Sequence, residues 1–290
     1  MEFEIGAQDR VFTVNYSINA GGKLFHTAPA LVMGIVNVTP DSFFDGGRLK
    51  AESDVLQLAE KHLNEGAFCL DIGAYSTRPG AAEVTPEEEL NRLLPAVESV
   101  ARHFPEAVIS VDTFRAAAAR AGIEAGAHMI NDVRGGDADP FMFETVADLK
   151  VPYVLMHMPG TPQTMQNNTR YNDVTRDILK QMAVKVSQLK ALGVNDVIVD
   201  PGFGFGKTPA QNLKLIRELD RFHILDCPVL AGVSRKSTIQ KTLHVTADEA
   251  LNGTTILNTA ALMNGAGILR VHDVKQAAEC AEMVYQLSQS

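Results

Sequence analysis

Apolar runs of four to six residues recur along the chain, each breaking off into polar residues and each followed by a stretch whose apolar positions return at helical spacing. The runs are LVMGIV ending at Val36, FCLDI at Ile72, AVISV at Val111, AHMI at Ile130, PYVLM at Met156, DVIV at Val199, PVLAG at Gly232 and GILRV at Val271. Between them lie helical patterns such as SDVLQLAEKHLNEG, EEELNRLLPAVESVARH and DVKQAAECAEMVYQLS, several of which stop at a glycine, as at Gly66, Gly126 and Gly193. Thr85-Pro86 followed by Glu87, Glu88 and Glu89 reads as an N-cap, a first-turn proline and a solvated acidic helix start. Ahead of this rhythm, FTVNYSINAGGKLFHT alternates about a Gly21-Gly22 turn and predicts a short β-hairpin.

Eight strand–helix units without a linker predict an α/β fold, a single-domain (β/α)8 TIM barrel over residues 31–290, preceded by an extension and hairpin over 1–30. The alternative is a doubly wound open sheet. Asn37, Asp112, Asn131, His157, Asp200, Ser234 and His272 each follow a strand closely. In a barrel these positions converge on one mouth, whereas an open sheet spreads them along an edge.

Composition narrows the picture further. The chain is 46% hydrophobic and 21% charged, with a net charge of -9, so its overall field opposes binding to nucleic acid or anionic membranes. An anionic ligand therefore needs a local basic cluster. Cys69, Cys227 and Cys280 lack metal or disulfide spacing, no apolar run is long enough to span a membrane, and the acidic N-terminus is unlike a signal peptide. A soluble cytoplasmic protein is expected.

VIVDPGFGFGKTP, Val197 to Pro209, looks like a phosphate-binding loop, but Pro201 stands where the first glycine of that motif is required. NVTPDSFFDGG, from Asn37 to Gly47, is a polar loop with Asp41 and Asp45, and AYSTRPG places Ser76, Thr77 and Arg78 ahead of Pro79; both also fit ordinary turns. GVSRKST sets Arg235 and Lys236 directly after a buried strand, where cations need a partner. Arg270 and His272 alternate along the eighth strand and share its inner side, at the place where barrels often bind phosphate. Asp112, Asn131 and Asp200 suit a ligand edge rich in N–H donors. A carboxylate pair for glycoside hydrolysis would use the same residue types but leaves the basic cluster unexplained. Cys69 and His157 are expected to be structural.

Taken in order, MGIVNVTPDSFFDGG, STRPGA, SVDT, NDV, MHMPGTPQTMQ, DPGFGFGK, GVSRKS and ILRVHDV resemble the bacterial dihydropteroate synthases from about Val32 to the C-terminus. The resemblance implies a cytoplasmic, homodimeric transferase of folate biosynthesis, in a family that sulfonamides inhibit. It would join 4-aminobenzoate to 6-hydroxymethyl-7,8-dihydropterin diphosphate by dissociative, SN1-like loss of Mg2+-pyrophosphate. It implies a pterin site of Asp112, Asn131, Met156, Asp200, Lys236 and Arg270, a diphosphate site of Asn37, Arg270 and His272, and Mg2+ at Asn37. Thr77, Arg78, Pro79, Gly204, Phe205, Lys236 and Ser237 would surround 4-aminobenzoate, and Asp45 would help close the site; Asp112, Lys236, Asp45 and Arg78 would carry the catalysis. Ala74-Tyr75, Phe43-Phe44 and Pro159 depart from the usual pattern without removing any of these residues. A related methyltetrahydrofolate–cobalamin methyltransferase would lack the paired SRKS and STRP motifs. A pterin-binding homologue without activity would be expected to have lost Asn37, Asp45, Arg78, Lys236 or Arg270.

Overall fold

Short β-branched runs flanked by glycines and polar residues become parallel strands because both of their faces are covered, one by the barrel interior and the other by helices. The computed structural model describes residues 14–38, 47–75, 84–161, 164–165 and 168–290. A hairpin of β1 (Ser17–Ala20) and β2 (Lys23–His26) comes first. Strands β3 (Leu31–Asn37), β4 (Cys69–Gly73), β5 (Val108–Asp112), β6 (Met129–Asp132), β7 (Tyr153–Met156), β8 (Val197–Asp200), β9 (Leu230–Ala231) and β10 (Ile268–Val271) then form a parallel sheet in the order β8-β7-β6-β5-β4-β3-β10-β9. A parallel bridge between Val199 and Val229 brings β8 beside β9 and rounds the sheet into the predicted barrel.

The outer layer comprises α1 (Gly47–Asn64), α2 (Pro86–His103), α3 (Ala116–Glu124), α4 (Met142–Leu149), α5 (Val174–Ala191), α6 (Pro209–Arg217), α7 (Ser237–Leu243), α8 (Leu251–Met263) and α9 (Val274–Gln289), with short 3-10 turns at Leu219–Leu225 and Asp248–Ala250. Thr85 caps α2 by accepting a bond from the Glu88 amide, with Pro86 at the first helical position. Thr208 and Gln211 form a reciprocal capping box on α6. Gly66, Gly126 and Gly193 take up the left-handed conformation that ends α1, α3 and α5.

Glu89 departs from the expected solvated helix start. Glu87 is exposed and Glu88 half-buried, but Glu89 is fully buried, where it accepts the Thr113 hydroxyl at 2.6 Å and pairs with Arg115.

Along the inner wall, the first inward side chains are apolar: Met33, Cys69, Val108, Met129, Val154, Ile198, Leu230 and Ile268. Ile18 and Ala20 of the hairpin, both fully buried, pack onto this layer and seal the N-terminal end of the barrel. Two residues further along their strands, Asp71, Ser110, Asn131, Asp200 and Arg270 turn the lining polar. The open end is therefore the C-terminal one. No helix among the described residues is long and apolar enough to cross a membrane.

Candidate active site

The floor of the open end is a hydrogen-bonded cluster around Arg270 on β10. Its Nε donates to Asp71 Oδ2 and its Nη2 to Asp112 Oδ2, both at 2.6 Å, while Asn131 Nδ2 donates to the same Asp71 oxygen at 2.9 Å. Burial opposes the charge on Arg270, but Asp71 and Asp112 outweigh it and hold the guanidinium protonated. For Asp112 the balance tips the other way. Burial pushes its carboxyl up to about 7 against the pull of Arg270, with Asp71, Glu89 and Asp132 adding repulsion. Of the expected trio, Asp112 and Asn131 meet through Asp71 and Arg270, and Asp200 is close enough to feel the Arg270 charge; Arg270, expected to face diphosphate, is tied to two carboxylates.

Asp71 was not anticipated. It is fully buried, and its other oxygen, Oδ1, has no hydrogen-bond partner among the described residues. Lying in the middle of CLDIG, it reads as one polar letter inside an apolar run. The signal that could have found it is its spacing: Asp71 follows inward-facing Cys69 by two residues.

On the opposite wall, Asp200 ends β8 with its Oδ1 accepting the Gly202 amide at 2.7 Å. Burial raises its pKa, and Lys236, Lys207 and Arg270 oppose that rise. Lys236 donates to the Phe203 carbonyl at 2.6 Å, and its Nζ lies 4.5 Å from the centre of the Phe205 ring, a cation–π contact. Burial brings its ammonium down to about 8, with Asp200 resisting. Arg235, at φ +54°, occupies a left-handed conformation that is costly for a side-chain-bearing residue. It is held there by a two-pronged bond to Asp273, at 2.9 and 2.8 Å, and by the Ala247 carbonyl. This clamp joins the loop after β9 to the one after β10, and the next residue along is Lys236.

Met156, Met158, Met165, Val133, Phe114 and Phe205 form a separate apolar cluster, polarisable and flat-sided, which suits contact with a planar ring. At the rim, Ser234 Oγ and His272 Nδ1 are 3.0 Å apart, and the His272 amide donates to the same hydroxyl. Asn37 is half-buried at the end of β3, Gly204 is half-buried, and Ser237 is exposed at the start of α7. Asp45, Thr77, Arg78 and Pro79 lie outside the described residues.

Against this geometry, residues 33–272 match the family described as pterin binding enzyme. The chain is 43% identical over 255 residues to dihydropteroate synthase of Escherichia coli, spanning 87% of this chain and 90% of that protein. The chain belongs to the dihydropteroate synthase family. Solved structures agree: a Yersinia pestis dihydropteroate synthase in complex with a sulfonamide drug has a TM-score of 0.89 at 40% identity, covering 95% of this chain and 100% of that one. The Xanthomonas albilineans enzyme with 4-aminobenzoic acid has a TM-score of 0.87 at 38% identity, covering 96% and 99%.

Proposed function

We propose that this chain is a dihydropteroate synthase, condensing 4-aminobenzoate with 6-hydroxymethyl-7,8-dihydropterin diphosphate to give 7,8-dihydropteroate and pyrophosphate. The observation that carries this reading is the enclosed array of Asp112, Asn131 and Asp200, facing Arg270 and Lys236, in a barrel of this family. Carboxylates and an amide accept from the donor-rich edge of the pterin, Met156 and Arg270 pack against its faces, and Lys236 donates on its carbonyl side. Asn37, Arg270 and His272 take the diphosphate. Gly204, Phe205, Lys236 and Ser237, with Thr77, Arg78 and Pro79, surround 4-aminobenzoate, and Asp45 helps close the site.

In the reaction, the bond between the pterin methylene carbon and the diphosphate oxygen breaks first, its electron pair leaving with pyrophosphate. The positive charge spreads into the dihydropterin ring, where Asp112 and Asp200 stabilise it from fixed positions. The neutral arylamine nitrogen then attacks the methylene carbon and loses a proton to solvent, so no strong base is required. Mg2+ is compatible with the residues present: Asn37 offers one hard oxygen donor, and this ion is commonly held by few protein ligands and by substrate phosphate. When bound, Mg2+ would neutralise the departing diphosphate.

The enzyme acts as a cytoplasmic homodimer, with residues 31–290 as its catalytic barrel, and sulfonamides compete at the 4-aminobenzoate subsite. The relative crystallised with a sulfonamide drug supports the binding of such drugs. The deciding assay supplies both substrates and Mg2+ and follows pyrophosphate release; a folded protein without turnover would rule the reading out. Lys236→Ala should cut turnover severely without unfolding the barrel. Asp200→Asn should weaken pterin binding by about 1–3 kcal/mol, read by calorimetry, as a buried charged acceptor is lost.

A further inference from the structure

The lysine that gives VIVDPGFGFGKTP its nucleotide-loop appearance is turned away from the cavity. Lys207 is 3% exposed, and its Nζ donates to the Gly202 carbonyl at 2.8 Å and the Phe205 carbonyl at 2.9 Å, and meets His157 Nδ1 at 3.1 Å. The His157 carbonyl lies at 3.3 Å. An ammonium has three protons, and the three shorter contacts use them all.

We propose that Lys207 and His157 are positioning residues for the second substrate, holding Gly202–Gly206 in the shape that makes the wall of the 4-aminobenzoate subsite. The inference rests on the functional reading above. Gly202, Gly204 and Gly206 all have positive φ, at +74°, +82° and +60°, so the segment is wound tightly. A Cβ on Gly202 would stand 1.9 Å from the His157 carbonyl oxygen, and one on Gly206 would stand 2.3 Å from Pro159 Cγ. Such winding turns carbonyls inward, where each needs a donor. Lys207 supplies two of them from beneath, Tyr171 donates its hydroxyl to the Gly206 carbonyl at 3.1 Å, and Lys236 takes the Phe203 carbonyl from the cavity side. The same segment carries Phe205 against Lys236, so a change in its winding moves both the ring wall and a substrate-facing ammonium.

The protonation state of His157 suits this arrangement. Burial and the Lys207 cation, with Lys185 adding to them, hold the His157 ring down to about 3, leaving Nδ1 free to accept. Burial draws Lys207 itself to about 7, with Asp200 favouring its charge and Lys236 opposing it.

Steady-state kinetics with each substrate varied in turn tests the proposal. Lys207→Met fills the same volume without a donor and should raise the KM for 4-aminobenzoate by about tenfold, leaving the KM for dihydropterin diphosphate within about twofold. His157→Leu should give the same split. His157→Asn, whose Oδ1 stands near the place of Nδ1, should restore near-wild-type constants. Unchanged constants, a parallel rise for both substrates, or a His157→Asn variant no better than His157→Leu would overturn the proposal. If Lys207→Met fails to fold, the two His157 variants decide alone. Absence of wild-type turnover defeats the functional reading and this inference with it, whereas wild-type turnover with unsplit variants defeats this inference only.

Discussion

A carboxyl group at the inner end of β5 feels opposed influences, and the outcome sets a pH range. Burial raises Asp112 to about 7, so it is ionised only above that pH, and burial lowers Lys236 to about 8, so it loses its charge above that value. If both charged forms are needed, kcat/KM for dihydropterin diphosphate rises through about pH 7 and falls beyond about pH 8, the two limbs belonging to the coupled cluster. Asp112→Asn should flatten the acid limb. The linkage to stability has a definite sign. The folded value lies above the ordinary 3.8, so the contribution of Asp112 to stability is fully present below about pH 4 and is lost as pH rises through about 7. Thermal unfolding at pH 5 and pH 8 should show this loss in the wild type and not in Asp112→Asn. Asp112, Asn131 and Asp200 were legible in the sequence because each falls at or next to the end of a strand. Asp71 was not, because the rule that marks strand ends passes over a carboxylate placed mid-strand, where its partner, Arg270, is 199 residues away along the chain.

Among the elements, α2 shows how a pattern can be read correctly for a helix and wrongly for a residue. Its Thr85 cap and acidic first turn follow from sequence, but Glu89 precedes Leu93 by one turn and so lies on the buried stripe with Leu93, Ala96, Val97 and Val100. There its carboxylate fastens α2 to Thr113 and Arg115 beyond β5, and the Arg115 guanidinium lies 4.9 Å from the Phe114 ring centre. Glu89→Ala leaves a half-buried cation with only the Val84 carbonyl and should cost about 2–3 kcal/mol in urea unfolding, less than the loss of a fully buried pair. Glu89→Gln, which keeps an acceptor for Thr113, should cost less. Period and punctuation revealed the strands and helices themselves. They could not reveal that β9 is only two residues long, or that β8 and β9 meet through one bridge, since both depend on pairing between distant segments.

At the scale of the whole molecule, a chain of net charge -9 gathers Arg270, Lys236 and Lys207 around Asp71, Asp112 and Asp200 at one end of its barrel. Local pairing of this kind keeps the open end from carrying the full negative field of an acidic protein. No group of three or more His, Cys, Asp or Glu among the described residues could hold a metal ion, so Mg2+ has no structural cage there. A chelator should therefore stop turnover while leaving the unfolding temperature unchanged, as calorimetry with and without Mg2+ would show.

The sealed end of the barrel also governs traffic. With Ile18 and Ala20 closing the lower opening, the cavity is a cul-de-sac, and everything that enters must leave by the same door. If the pterin seats on Asn131 and Arg270 and 4-aminobenzoate nearer the mouth, the deeper guest should arrive first and leave last, an order that product-inhibition kinetics would show.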